Sequence, residues 1–145
     1  MEIADYWKKV LSLKTREVSY PGWDISENPL VSRGYFDCVG VALLETNVAG
    51  LSHFNFCQPN PLRYLSDFLD SFRDFSGDSP VSAVVVGGDI LHTRMARSFL
   101  LQEGVIVENY RPNKKEDLVV RSLVVVPSDK RVVMRRGVRE YRCLF

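Results

Sequence analysis

Apolar residues recur with two different periods along this chain, and the switches between them outline its elements. Ile3, Tyr6, Trp7, Val10 and Leu11 fall at i, i+3, i+4, i+7 and i+8, the stripe of an amphipathic helix. Residues 12–30 hold Pro21, Gly22, Asn28 and Pro29 and read as a loop interrupted by a short strand around Val18. The run DCVGVALLE, residues 37–45, is apolar, carries valines and ends in a turn-like ETN, which fits a buried strand. AGLSHFNFC, residues 49–57, alternates: Leu51, His53, Asn55 and Cys57 share one face, and Ser52, Phe54 and Phe56 share the other.

Pro61 then stands where a helix can begin, and Leu62, Leu65, Phe68, Leu69 and Phe72 keep helical spacing until Gly77, Ser79 and Pro80 close the element. VSAVVVGG, residues 81–88, predicts a strand running into a glycine turn. A helix over 91–103 follows through Leu91, Met95, Phe99 and Leu100, with Gly104 at its end. Further strands are expected at 104–110, 118–126 and 131–135. The pattern predicts an α+β fold, a single domain over residues 1–145 in which mixed sheets are layered with helices. Phe68, Leu69, Phe72, Met95 and Phe99 are the expected buried helix residues.

Composition agrees with one folded domain. The chain has 145 residues, 46% hydrophobic and 26% charged, a size that buries roughly 70% of the unfolded surface without disulfides or metals. Cys38, Cys57 and Cys143 are too few and too irregular for a secreted disulfide framework, and no CxxC pair suggests structural zinc. The start MEIADYWKKV does not read as a signal peptide, and no apolar run approaches the roughly 18 residues of a spanning helix. A cytoplasmic protein with no membrane span is expected. The net charge of +1 hides an asymmetry: residues 1–110 sum to -5 and residues 111–145 to +6. A basic end suits an acidic partner, yet it also describes edge strands protected against aggregation. Nucleic-acid binding would rest on that end alone, with no aromatic-basic motif behind it, and is disfavoured.

Two residues carry most of the chemistry. Cys38 lies in an apolar strand, where a cysteine is ordinarily a small core hydrophobe. Its same-face neighbours Gly40 and Ala42 leave open space beside the sulfur, and a histidine on a neighbouring strand supplies the base a thiol needs. His53 is that candidate, its alternative being a satisfied half-buried histidine. A hairpin with 38 opposite 53 would turn at Glu45–Thr46, whereas Thr46, Asn47 and Gly50 place the centre slightly later, so spacing alone leaves the contact open. Such a pairing would make Cys38 alkylate faster near neutral pH than Cys57 or Cys143. GGD at 87–89 lacks the spacing of a phosphate loop and reads as a packing turn. A zinc set of Cys38, His53, Cys57 and His92 would need His53 and Cys57, about 13 Å apart along a strand, to meet one ion. No metal or cofactor is expected.

In order and spacing these segments resemble the chemotaxis receptor deamidase family, CheD. That family carries Thr, five residues, then Cys in a GSCV context, followed by an apolar strand, a histidine-bearing strand, a helix, a strand ending in a double glycine, a helix and terminal strands. The matching pieces here are Ser32, Cys38 in FDCVGVAL, His53 in AGLSHFNF, VSAVVVGGD and RSLVVVPSDKRVVMRR, spanning about residues 29–136. The fold is shared with deamidating toxins of the cytotoxic necrotizing factor type. Phe36-Asp37 replaces the family's Gly-Ser, Ser32 replaces Thr, and NYRPNKKED replaces a glycine-rich segment. The resemblance implies a cysteine-dependent protein-glutamine deamidase with Cys38 as nucleophile, His53 as proton shuttle and Ser32 as its orienter. Its partner would be a protein substrate presenting a glutamine side chain, such as a chemoreceptor or a regulatory protein. The alternative is a catalytically reduced CheD-like module that binds protein through its basic C-terminal strands. There Ser32 is merely a loop residue after Pro29 and Ser32→Ala changes nothing, whereas in the deamidase reading its loss weakens catalysis and, as a surface or cleft hydroxyl, costs only about 1 kcal/mol of stability.

Overall fold

Each predicted amphipathic stripe becomes a helix that buries that stripe. In the computed structural model, which describes residues 1–35, 37–87, 89–108, 120–136 and 140–145, the helices are α1 (Ile3–Ser12), α2 (Pro61–Ser76) and α3 (Ile90–Gln102). Pro61 occupies the first turn of α2, where its missing N–H costs nothing, and Gly77 ends it with a positive φ of 72°. Asp89 caps α3, its carboxylate accepting from the His92 backbone N–H at 2.8 Å.

The strands described are β1 (Arg16–Glu17), β2 (Gly22–Ser26), β3 (Leu30–Tyr35), β4 (Val39–Leu44), β5 (Ala49–Phe54), β6 (Ser82–Gly87), β7 (Ile106–Val107), β8 (Val120–Val126), β9 (Arg131–Arg135) and β10 (Tyr141–Cys143). They form two five-stranded mixed sheets, ordered β1-β3-β8-β9-β10 and β2-β5-β4-β6-β7. The chain is a single α+β domain. The sheets pack face to face: Leu30, Leu123, Val125 and Met134 of the first share one core with Ala42, Leu51, Val84 and Val86 of the second. On the outer side of the second sheet, Val41, Leu43 and Val85 meet Leu65, Phe68, Phe72 and Leu100 of α2 and α3. On the outer side of the first, Trp7 and Val10 of α1 cover Val31, Val124 and Val133. The order of layers is therefore helix, sheet, sheet, helices. Fully burying each large apolar side chain contributes roughly 1.5–3 kcal/mol, so the alternation of faces along β4, β5 and β6 fixes both cores.

Several expectations change. The stretch read as loop after Val18 contains β2 and leads into β3, so Ser32 is a strand residue rather than a loop residue. Of the helix residues expected inside, Phe68, Leu69 and Phe72 are buried and Phe99 is partly so, but Met95 is 38% exposed. Of the strand expected over 104–110, the described residues 104–108 show Ile106–Val107, and the one over 49–57 stops at Phe54. Residues 109–119, including NYRPNKKED, lie outside the described residues.

Candidate active site

The hairpin register decides which side chains meet. Gly40 lies opposite His53 and Val39 opposite Phe54, and the turn closes with Glu45 N–H donating to the Val48 carbonyl at 3.1 Å. One step further along the same register sets Cys38 opposite Asn55. The later turn centre suggested by Thr46 and Asn47 is the real one. Cys38 and His53 are diagonal neighbours on one face, a relation that leaves their Cα atoms roughly 7–8 Å apart.

That face points between the sheets, and there the first sheet supplies Ser32. Ser32 is fully buried on β3 and its Oγ lies 2.9 Å from His53 Nδ1. The same hydroxyl donates its proton to the Val18 carbonyl. A serine has one proton to give, so Oγ can only accept from the ring, and Nδ1 must carry the hydrogen. Burial holds the His53 imidazole well below its ordinary value, at about 4, with the Gly34 carbonyl pulling weakly the other way. The ring is therefore neutral near pH 7 and Nε2 is its free lone pair. His53 is only 3% exposed, and among the described residues Nε2 has no hydrogen-bond partner.

Two tyrosines enclose this imidazole. The Tyr35 ring stacks on it at a centroid distance of 4.2 Å, and the half-exposed Tyr20 meets it edge-on at 5.5 Å. Tyr35 reaches the inter-sheet space because Gly34, at φ 86°, breaks the alternation of β3 and turns the next side chain inward. The phenol is fully buried, donating to the Ser52 carbonyl at 3.2 Å, and burial raises its ionisation far above the ordinary range. The space beside Cys38 that glycine and alanine were expected to leave open is thus filled. A Cβ on Gly40 would stand 2.5 Å from Tyr35 Cε1.

Cys38 sits half-buried at the rim of this arrangement. No hydrogen bond joins its thiol to His53; the polar contact of Sγ is Asn55 Nδ2 at 3.9 Å. Burial pushes the thiol up, the Asn55 amide opposes that, and the neighbouring Asp37 carboxylate adds to it. The structure thus brings Ser32 and His53 into a hydrogen bond and puts Cys38 on their face without closing the last contact. Tyr35 and Asn55 were not singled out by sequence reasoning. Asn55 had a signal, as a polar residue two positions from His53 on the same strand face, whereas Tyr35 depends on the twist at Gly34.

The other candidates fall elsewhere. Gly87 is a packing glycine, where a Cβ would lie 2.3 Å from the Cys38 carbonyl. The His92 ring stacks on Phe56 at 4.8 Å and lies 3.4 Å from the Asp89 carboxylate. Cys57 is exposed beyond the end of β5. Among the described residues no three His, Cys, Asp or Glu side chains gather around a common point that could hold an ion. Nor is any helix among them long and apolar enough to cross a membrane. In comparisons with known proteins, the chain matches no family model and no curated protein sequence.

Proposed function

We propose that the protein is a cysteine-dependent protein-glutamine deamidase. The observation that supports this most is the Ser32–His53 contact: Oγ lies 2.9 Å from Nδ1 while giving its own proton to the Val18 carbonyl, which puts the ring hydrogen on Nδ1 and leaves a buried, unpartnered Nε2 on the face that Cys38 shares. An imidazole so arranged is a base waiting for an acid, and the Cys38 thiol lies on the same face of the same sheet.

In this reading Nε2 takes the Cys38 proton as the glutamine side chain enters. The thiolate attacks the carboxamide carbon, forming the C–S bond while the carbonyl electron pair moves to oxygen. Collapse of that intermediate breaks the C–N bond; the imidazolium gives its proton to the nitrogen, and ammonia leaves. Water, deprotonated by Nε2, then attacks the thioester, releasing glutamate and returning the thiol. Ser32 keeps Nδ1 protonated throughout, stabilising the imidazolium as the third member of a triad does. The chemistry calls on no metal or organic cofactor.

A second reading, a catalytically reduced module binding an acidic protein through its basic C-terminal strands, is favoured by one observation: Tyr35 packs over Gly40 and against His53, occupying space beside the thiol. Of the basic residues on the C-terminal strands, Arg131 and Arg142 are exposed. One experiment separates the two. Whole-cell protein extract incubated with wild type, Cys38→Ala, His53→Ala and Ser32→Ala is read for ammonia and, by mass spectrometry, for glutamine-to-glutamate conversion. The deamidase reading expects conversion by wild type that Cys38→Ala and His53→Ala abolish. Equal conversion by wild type and Cys38→Ala overturns it.

A further inference from the structure

Asn55 follows β5 directly, and three hydrogen bonds fix it there. Its backbone N–H donates to Gln58 Oε1 at 3.1 Å, its carbonyl accepts from Gln58 N–H at 3.1 Å, and its Oδ1 accepts from Cys57 N–H at 2.8 Å. The last of these decides the orientation of the amide. A backbone N–H must face an acceptor, so Oδ1 lies toward Cys57 and Nδ2, with its two protons, lies toward Cys38. The Nδ2 to Sγ separation is 3.9 Å, long for a neutral thiol and able to shorten once the sulfur carries charge, since donors to ionised groups bind closer.

The ionisable groups around the sulfur all leave it short of such help. Asp37 precedes it in the chain with a like charge, the Tyr35 phenol stacked on His53 is neutral, and His53 on β5 is neutral with its proton turned toward Ser32. The adjoining end of β6 presents Gly87, which has no side chain. We propose that Asn55 stabilises the Cys38 thiolate, its Nδ2–H donating to Sγ from an amide locked in place by the Cys57 backbone. The assignment rests on Cys38 being the nucleophile of the deamidase reading.

The test reads the thiol itself, so it needs no turnover. The rate of Cys38 alkylation by iodoacetamide is followed against pH by peptide mapping in wild type, Asn55→Ala and Asn55→Asp. Asn55→Asp keeps the acceptor for Cys57 N–H but replaces the donor by a carboxylate. A thiolate-stabilising role predicts labelling about fivefold slower at pH 7.5 for Asn55→Ala, slower still for Asn55→Asp, and both profiles displaced to higher pH. Because a carboxylate at that position repels a thiolate whatever the amide does, Asn55→Ala is the deciding variant: a wild-type labelling rate and pH profile for Asn55→Ala overturns the proposal. In wild type alone, the Asn55 side-chain amide resonances should titrate with the midpoint of Cys38 alkylation, and resonances that ignore that midpoint also overturn it. Absence of glutamine conversion by wild type would instead strike the deamidase reading, a failure that the labelling profiles keep separate.

Discussion

Replacing Ser32 by alanine removes one oxygen that serves two partners. The hydroxyl donates to the Val18 carbonyl and accepts from His53 Nδ1, and the residue is fully buried, so water cannot substitute. Each buried group left without a partner costs about 1–3 kcal/mol, which makes Ser32→Ala destabilising by about 3 kcal/mol rather than the value near 1 expected for a surface or cleft hydroxyl. For a domain of this size that loss lowers the melting temperature by about 10 °C and the urea midpoint by about 1.5 M. Urea unfolding at pH 7.5, followed by far-ultraviolet circular dichroism, measures it, with Ser32→Thr as the control that keeps an oxygen. A long-range proton–nitrogen correlation on the imidazole completes the experiment, since wild-type His53 should carry its hydrogen on Nδ1. An unchanged urea midpoint in Ser32→Ala, or a ring protonated on Nε2, would show that Ser32 does not bridge Val18 and His53.

Four further outcomes follow from the same geometry. The folded His53 value of about 4 lies below the ordinary 6.5, so the unfolded chain takes up the proton first; the stability owed to the neutral ring is full above pH 6.5 and is lost as the pH falls toward 4. Unfolding measured across that window should show a loss approaching about 3 kcal/mol that His53→Gln removes; an equal slope in the variant contradicts it. Gly40→Ala, whose Cβ would meet the Tyr35 ring at 2.5 Å, should cost about 1–3 kcal/mol, and pairing it with Tyr35→Leu should recover most of that in a double-mutant cycle. Gly87→Ala places a side chain at φ 78° against the Cys38 carbonyl and should cost about 2–4 kcal/mol by thermal unfolding. Limiting iodoacetamide near neutral pH should label exposed Cys57 and Cys143 before Cys38, the reverse of the order expected for a preformed pair; Cys38 labelling first would mean thiol and imidazole already bond at rest.

The sequence made the central elements legible where burial is two-sided. The valine runs of β4 and β6 admit no competing period, and α2 shows its stripe because one face alone meets the second sheet. β2 and β3 were hidden for opposite reasons. Trp23 is 36% exposed on an edge strand beside Pro21 and Gly22, so neither face alternates cleanly, and Gly34 interrupts the pattern of β3 where Tyr35 turns inward. His53 stood out as a histidine on the strand next to that of Cys38 and Ser32 only through a family resemblance; their contact itself was hidden because it crosses from one sheet to the other. Nothing local in a chain records which face of a second sheet it will meet. Asn55 required the register of the hairpin, which the turn residues located only to within a few positions.

The base and the nucleophile differ in how firmly the backbone holds them. His53 lies inside β5 with paired strands on both sides, Gly22 of β2 across one edge and Gly40 of β4 across the other. Cys38 precedes the first residue of β4, and Asn55 follows the last residue of β5. Hydrogen exchange should therefore separate them: the amide of His53 should open only with the sheet, while that of Cys38 exchanges by local fraying. The thiol can then move toward a fixed imidazole without breaking a ladder bond of β4, so closing the pair is a matter of the residues ahead of one strand moving against the interior of its neighbour.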